Sequence, residues 1–443
     1  MTVHRQDGMQ QTTKLERIGK LAQEQKDTLF NNLWQAVDLT LLRKSYQELD
    51  GKKAVGTDGV TKAAYGAGLE DNLQDLLRRI RQGGYKPKPT RRVEIPKEDG
   101  SSRPLEIACL EDKLVQEVVA TILTAVYEPL FLPCSYGYRA GVNGHAALKS
   151  LMKYSNQNRT GATVEIDLEQ YFNSIPHAVL LDILGKKIKD KYFLKLIGTL
   201  LRTPLMEENK VILNKRGSPQ GSIVSPILSN IYLHYVVDEW FYEIRRTHLK
   251  GRAELIRFAD DMVWVFEHQA EAKRFYEVLP KRLEKYGLKL HTGKSRLINS
   301  GSRWAEEAHA RGERLVTYKF LGFVCYWGQS RNGSWRLKYK SRSDRITSKL
   351  KGLRKYLKGN LGTETQVVIR QVKRIVRGWI NYHAISDNQR AVGSFILRSK
   401  RILIKWLNRK GGQRKLNWEK FSNMLERLDY PKSFKTTSMF ATS

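Results

Sequence analysis

Cysteine is scarce in these 443 residues. Only Cys109, Cys134 and Cys325 occur, far apart, with no CxxC pair and no Cys/His spacing suited to zinc. A structural zinc module is therefore not expected, and three isolated buried thiols are the expectation. No uninterrupted apolar run approaches the ~18 residues that a membrane span needs. The opening "MTVHRQDGMQQTTKLERIGK" lacks the apolar core of a secretory signal. Internal repeats and low-complexity tracts are also missing. Acidic residues are few, 45 Asp and Glu against 78 Lys and Arg, which leaves a formal net charge of +33. Such an excess concerns partners rather than fold: a polyanion, with nucleic acid ahead of an anionic membrane surface. A cytosolic chain of about three domains, bound to nucleic acid, is the expectation.

The charge is concentrated. From Arg331 to Ser443 there are 28 Lys and Arg against 6 Asp and Glu, so +22 of the +33 lies in the last quarter. Trp335, Tyr339, Tyr356, Trp379, Tyr382, Trp406, Trp418 and Phe421 interleave with those cations. A disordered basic tail would be poor in aromatics; this segment predicts a folded surface of RNA dimensions.

Along the chain, residues 12 to 50 carry leucines and valines near helical spacing, and "GKKAVGTDGVT" breaks that pattern as a loop. "LEDNLQDLLRRIRQGGYKPKP" predicts an amphipathic helix stopped at Gly83-Gly84. "RRVEIPKEDGSSRPLEI" predicts a hairpin, and "EDKLVQEVVATILTAVYEPL" a strong helix. "TVEIDLEQYF" predicts a buried strand. In "GSPQGSIVSPILSNIYLHYVVDEWF" a glycine loop feeds an apolar helix, with Ser225 as its cap and Pro226 in its first turn. "YGLKLHTGKSRLI" and "VTYKFLGFVCYW" predict extended pieces, and basic helices follow beyond Lys340. This irregular alternation predicts an α+β core with helical flanks.

The chemistry centres on "LIRFADDMVWVF". Asp260 and Asp261 sit side by side where a hairpin should turn, although Asp-Asp suits a tight turn poorly and the carboxylates repel. By itself this is either a solvated turn or a metal site completed from elsewhere. Asp167, ending the strand "ATVEID", is the natural third carboxylate. Mg²⁺ prefers hard oxygen donors, commonly one or two carboxylates plus substrate phosphates. Two such ions clamp the attacking and leaving oxygens of an in-line phosphoryl displacement. Lys97 and Arg103, on opposite arms of one hairpin, suit a triphosphate. The loop "GSPQGS" offers backbone amides and the Gln220 side chain, and Phe172 puts a ring five residues after Asp167. Taken singly, each of these has an ordinary structural explanation.

Taken in order, "RPLEIACLEDKLVQ", "SYGYRAGVNGHAAL", "EIDLEQYFNSIPH", "GSPQGSIVSPILSNIYLHYVVDEWF", "RFADD", "LHTGKSR" and "FLGF" resemble the reverse transcriptases encoded by bacterial group II introns. "RGWINYHAISD" and "LNWEKFSNMLERLDYPKS" resemble the maturase region of those proteins. The resemblance implies a right-hand polymerase: residues 1–60 an N-terminal extension, 61–330 fingers and palm, 331–443 thumb and maturase-like domain. It implies an RNA-directed DNA polymerase that uses dNTPs and two Mg²⁺ ions, with Mn²⁺ as a substitute. Its partners would be intron RNA, an RNA template and a DNA primer, its roles splicing and retrohoming, and its location the bacterial cytoplasm. By the same resemblance, Asp167, Asp260 and Asp261 are catalytic metal ligands. Lys97, Arg103, Phe172 and Gln220 contact the dNTP, with Phe172 excluding a ribose 2′-hydroxyl. Lys294 protonates the pyrophosphate, and Phe320, Leu321, Gly322 and Phe323 hold the primer end. Arg139, Arg377, Trp379 and Tyr382 face template or intron RNA, with Gly378, Trp379 and Tyr382 open to a purely structural role.

Three positions depart from the family's pattern: Phe258 where Tyr is usual, Glu106 where Gly is common, and Ala140 where Pro is frequent. No Cys-rich nuclease module follows the maturase-like segment, so second-strand cleavage is expected to come from elsewhere or not to be needed. Two other readings stand beside the enzyme: a mainly RNA-binding splicing cofactor, and a host-adopted relative working in repair or defence.

Overall fold

The computed structural model describes residues 3–96, 102–207, 210–212, 214, 216–219, 221–411 and 415–440. The backbone packs into two compact units. One holds residues 1–143, 164–264 and 270–297, the other residues 144–163, 265–269 and 298–443. Architecture is α+β, as the sequence predicts, and no helix among the described residues is long and apolar enough to cross a membrane.

The predicted hairpin forms from β1 (Thr90–Pro96) and β2 (Ser102–Ile107), in antiparallel register with Ile95 opposite Arg103. The expected strand after residue 160 is β3 (Gly161–Ile166). Short strands β4 (Leu205–Glu207) and β5 (Lys210–Ile212) extend the first hairpin into a sheet ordered β2-β1-β4-β5. The aspartate hairpin is β6 (Ala253–Phe258) and β7 (Asp261–Phe266); with β8 (Arg296–Ser300) it makes the sheet β6-β7-β3-β8. The helix Leu110–Tyr127 supplies much of the core, because Leu114, Val115, Val118, Val119, Ile122, Leu123 and Val126 recur at helical spacing and are fully buried.

Three expectations need correction. Residues 12–50 do not form one helical stretch: helices Val3–Glu24 and Leu39–Glu48 flank a loop and a short 3₁₀ turn. There the Phe30 backbone pairs with Ile188, and Asp190 accepts the Trp34 amide at 2.7 Å, so tertiary partners override helical spacing. Ser225 opens its helix without capping it; the hydroxyl instead bonds the Pro219 carbonyl at 2.9 Å and the Ser218 hydroxyl at 2.6 Å. Of "YGLKLHTGKSRLI" only the end becomes β8, because the preceding residues wrap Asp167.

In the second unit, β9 (Tyr318–Phe320), β10 (Phe323–Gln329) and β11 (Trp335–Ser341) form an antiparallel sheet. Helices Ser343–Gly359, Thr365–His383, Gln389–Lys410 and Trp418–Arg427 follow. Leu350, Leu353, Val372, Val376, Phe395, Leu403, Trp406 and Phe421 join one apolar cluster. The intervening Lys349, Lys351, Arg354, Lys355, Arg370, Arg374, Arg398, Arg401 and Lys405 are exposed, so Trp379, Phe395, Trp406 and Phe421 are core while these cations form the surface. All three cysteines are free and buried, as expected.

Candidate active site

Two carboxylates lie at the ends of neighbouring strands. Gly161, which opens β3, lies against the Phe266 carbonyl that ends β7; an added Cβ there would come within 2.2 Å of that oxygen. The neighbouring strands therefore run antiparallel, which brings Asp167, just past the end of β3, to the turn that starts β7. The charges register that proximity. Burial, the largest influence, pushes the Asp260 carboxyl above the usual carboxylate range, and the negative charge of Asp167 raises it further, while Arg103 and Arg257 act in the opposite sense. Asp261 opens β7 with its side chain exposed.

Asp167 is held from behind by the stretch "LHTGKSR". The His291 amide donates to the Asp167 carbonyl at 2.8 Å, and the Asp167 amide donates to Ser295 Oγ at 3.2 Å. The same loop sets Lys294 Nζ 3.1 Å from Asp167 Oδ2, with the lysine side chain 62% exposed.

The aspartate turn rests on a buried polar network that sequence reasoning missed. Ala259 adopts φ +56°, in the left-handed region that favours glycine. Gly137 packs against it so closely that a Cβ would stand 2.4 Å from the Ala259 nitrogen. Asn230 donates to the Gly137 carbonyl at 2.7 Å. Arg257, three residues before Asp260, ties these pieces together. It donates to Asp238 through Nε at 2.7 Å and Nη2 at 2.6 Å, to Asn230 Oδ1 at 3.0 Å, to Ser135 Oγ at 2.8 Å and to the Ala259 carbonyl at 3.3 Å. Both side chains of the Arg257–Asp238 pair are 0% exposed. Burial opposes the guanidinium charge, but the Asp238 carboxylate more than offsets it, so Arg257 is held cationic. Asp238 lies in a π-helical turn, His234–Asp238, within an otherwise α-helical run. The signal was present: a lone arginine inside the apolar strand "ELIRF" and a lone aspartate inside "LHYVVDEWF" each need a buried partner.

The other predicted positions divide. Arg103, exposed on β2, stands near enough to Asp260 to lower its carboxyl pKa. Phe172 is partly buried, meets Tyr171 edge to face at 5.2 Å, and accepts the Ser218 amide on its carbonyl at 2.7 Å, which puts it beside the glycine loop. Lys97 and Gln220 lie outside the described residues. Arg139 is engaged internally, with Glu128 at 2.8 Å and the carbonyls of Leu132 and Ser135 at 3.2 and 2.9 Å, so its guanidinium is not free to face a template. Trp379 is 7% exposed, stacked on Phe395 at 3.9 Å and His383 at 4.2 Å, a core ring in keeping with the structural alternative left open for it. Arg377 is exposed and pairs with Asp429 at 2.5 Å. Glu106, one of the departures from pattern, accepts the Thr90 hydroxyl at 2.9 Å; burial raises its carboxyl pKa.

Hard carboxylate oxygens, with the half-buried Asp260 repelled by Asp167, fit a divalent cation. Among the described residues no three His, Cys, Asp or Glu side chains stand together in ligating geometry. Two coupled carboxylates fit Mg²⁺ better than a metal that needs a full protein cage, since Mg²⁺ takes its remaining ligands from phosphate and water.

The family model "Reverse transcriptase (RNA-dependent DNA polymerase)" matches residues 95–325, over half of the chain, and contains Asp167, Asp260 and Asp261. The model "Group II intron, maturase-specific domain" matches residues 343–422. The chain belongs to the group II intron reverse transcriptase family. Among relatives, the uncharacterized 91 kDa protein in the cob intron of Schizosaccharomyces pombe is 28% identical over 433 residues, covering 84% of this chain and 52% of that protein. The group II intron-encoded protein LtrA of Lactococcus lactis subsp. cremoris is 35% identical over 226 residues, 50% of this chain and 37% of LtrA. Protein YkfC of Escherichia coli K12 is 31% identical over 229 residues, 51% of this chain and 58% of YkfC. The family member described here thus spans about half, or less, of the lengths of the first two relatives.

Proposed function

We propose that this reverse transcriptase family member extends a DNA primer along an RNA template with dNTPs, and that its basic C-terminal helices bind group II intron RNA to promote splicing and retrohoming. Residues 1–60 serve as an N-terminal extension, 61–330 as fingers and palm, and 331–443 as thumb and maturase domain. The observation that supports the reading is the electrostatic coupling of Asp167 to a half-buried Asp260, on which the Arg103 charge also acts. Asp167 and Asp260, with Asp261 beside them, would hold Mg²⁺ ions, which supply charge neutralisation for the attacking and leaving oxygens. The primer 3′-oxygen attacks the α-phosphorus, and the bond to pyrophosphate breaks. Arg103, with Lys97 and Gln220, orients the triphosphate, and Lys294 gives a proton to the departing pyrophosphate from Nζ.

Phe172 stands against the nucleotide's sugar in this reading. Phe172→Val should admit ribonucleotides, with the rNTP:dNTP incorporation ratio on an RNA template rising at least ~10-fold, the scale of a shape-based discrimination. An unchanged ratio removes Phe172 from that role; absence of any RNA-templated extension in the unmodified protein removes the polymerase.

A mainly RNA-binding role is favoured by the exposed cations of the last four helices. Binding to structured RNA should weaken steeply with salt, by about 10³-fold or more between ~50 and ~200 mM if six or more phosphates are neutralised. A flat response in filter binding argues against an extended phosphate-binding surface.

A further inference from the structure

The turn between β9 and β10 is strained: the Arg342 amide donates to its Gly322 carbonyl at 3.2 Å, and a hydroxyl from the maturase segment meets its Leu321 carbonyl. Phe320 pairs with Phe323, leaving the two-residue loop Leu321-Gly322. Both loop residues have positive φ, +47° at Leu321 and +82° at Gly322. Such a turn favours Asn, Asp or Gly at both positions. Gly322 complies; Leu321, with its Cβ, does not, and persists only where its surroundings over-determine it.

The surroundings are the end of the helix Thr365–His383. Tyr382 donates its hydroxyl to the Leu321 carbonyl at 2.8 Å. Its ring stacks on His145 with centroids 5.3 Å apart and planes 20° apart, and His145 Nε2 lies 2.7 Å from the Tyr382 carbonyl. The Phe323 ring packs 5.6 Å from the Tyr382 ring and 5.0 Å from that of His383. His383 is fixed in turn by Ser341 Oγ at 2.8 Å and is stacked on Trp379. Gly144 leaves room for this arrangement, since a Cβ there would stand 3.1 Å from the Tyr382 oxygen. Tyr382 is only partly buried, so a phenylalanine would fill its space equally well. What tyrosine adds is the hydroxyl, and its acceptor is the strained carbonyl.

We propose that Tyr382 is a positioning residue for primer extension: its hydroxyl holds the Leu321-Gly322 turn in the conformation that seats the primer 3′ end. The inference rests on the reading of Phe320–Phe323 as the primer-holding turn. It makes the last turn of a maturase-segment helix part of the polymerase platform, so truncation before that helix removes the brace.

The test compares the full chain with Tyr382→Phe. Hydrogen exchange of the peptide spanning Phe320–Phe323 should quicken about fivefold, the effect of one hydrogen bond. Single-nucleotide addition to a DNA primer on an RNA template should slow by a similar factor at saturating dNTP, with KM for dNTP and the Tm unchanged. Leu321→Asn, which tolerates positive φ, should restore both readouts in the Tyr382→Phe background. Unchanged exchange overturns the brace, and quicker exchange with addition within twofold of the unmodified chain overturns its role in positioning. An unmodified chain that extends no primer fails the polymerase reading instead, and the exchange comparison still decides the brace.

Discussion

Asp260→Ala is expected to abolish RNA-templated primer extension, with the rate falling by at least ~10³-fold, the loss that follows when several kcal/mol of transition-state charge stabilisation is removed. The same substitution leaves the fold as stable as before, or more so. Asp260 is half-buried, and its carboxylate is disfavoured by that desolvation and by the charge of Asp167; removing it relieves both costs, as is common where function stores unfavourable charge. Intron-RNA binding should be retained, because the exposed cations lie in the basic helices beyond Ser343. Primer extension, urea midpoints and splicing of an intron RNA, measured on one preparation, check all three. Extension at the unmodified rate sinks the metal assignment; splicing lost together with extension ties both activities to one site.

Arg257→Met should cost about 3–5 kcal/mol of stability, because it leaves Asp238 charged, buried and alone. The double change Arg257→Met with Asp238→Leu should recover most of that loss, since a buried ion pair replaced by apolar groups of similar size is often near neutral. Activity should not recover with it. Asn230, Ser135 and the Ala259 carbonyl lose their shared donor, and the left-handed turn that presents Asp260 loses its support. Urea midpoints with primer-extension rates separate the two effects. Full recovery of both would reduce the network to packing.

Much of the architecture was legible in local pattern. The strand before Asp167, the β1–β2 and β6–β7 hairpins, the helix Leu110–Tyr127 and the basic helices after Lys340 all follow from apolar periodicity and turn chemistry. The failures share a cause. Phe30 and Trp34 leave helical spacing for partners near residue 190, and Ser225 turns from capping to the Pro219 carbonyl. Each is decided by a residue far along the chain or by a fold-dependent neighbour.

By itself the sequence determined the chemistry available: three acidic residues in motifs of one family, a surplus of cations in the last quarter, and the strands and helices that carry them. Only the tertiary structure decided that Asp167 and Asp260 share a charge environment, that Arg257 and Asp238 lock the turn from beneath, and that Tyr382 grips a strained carbonyl. Residue type and spacing encode local conformation, whereas desolvation and charge coupling depend on which distant atoms the fold brings within a few ångströms.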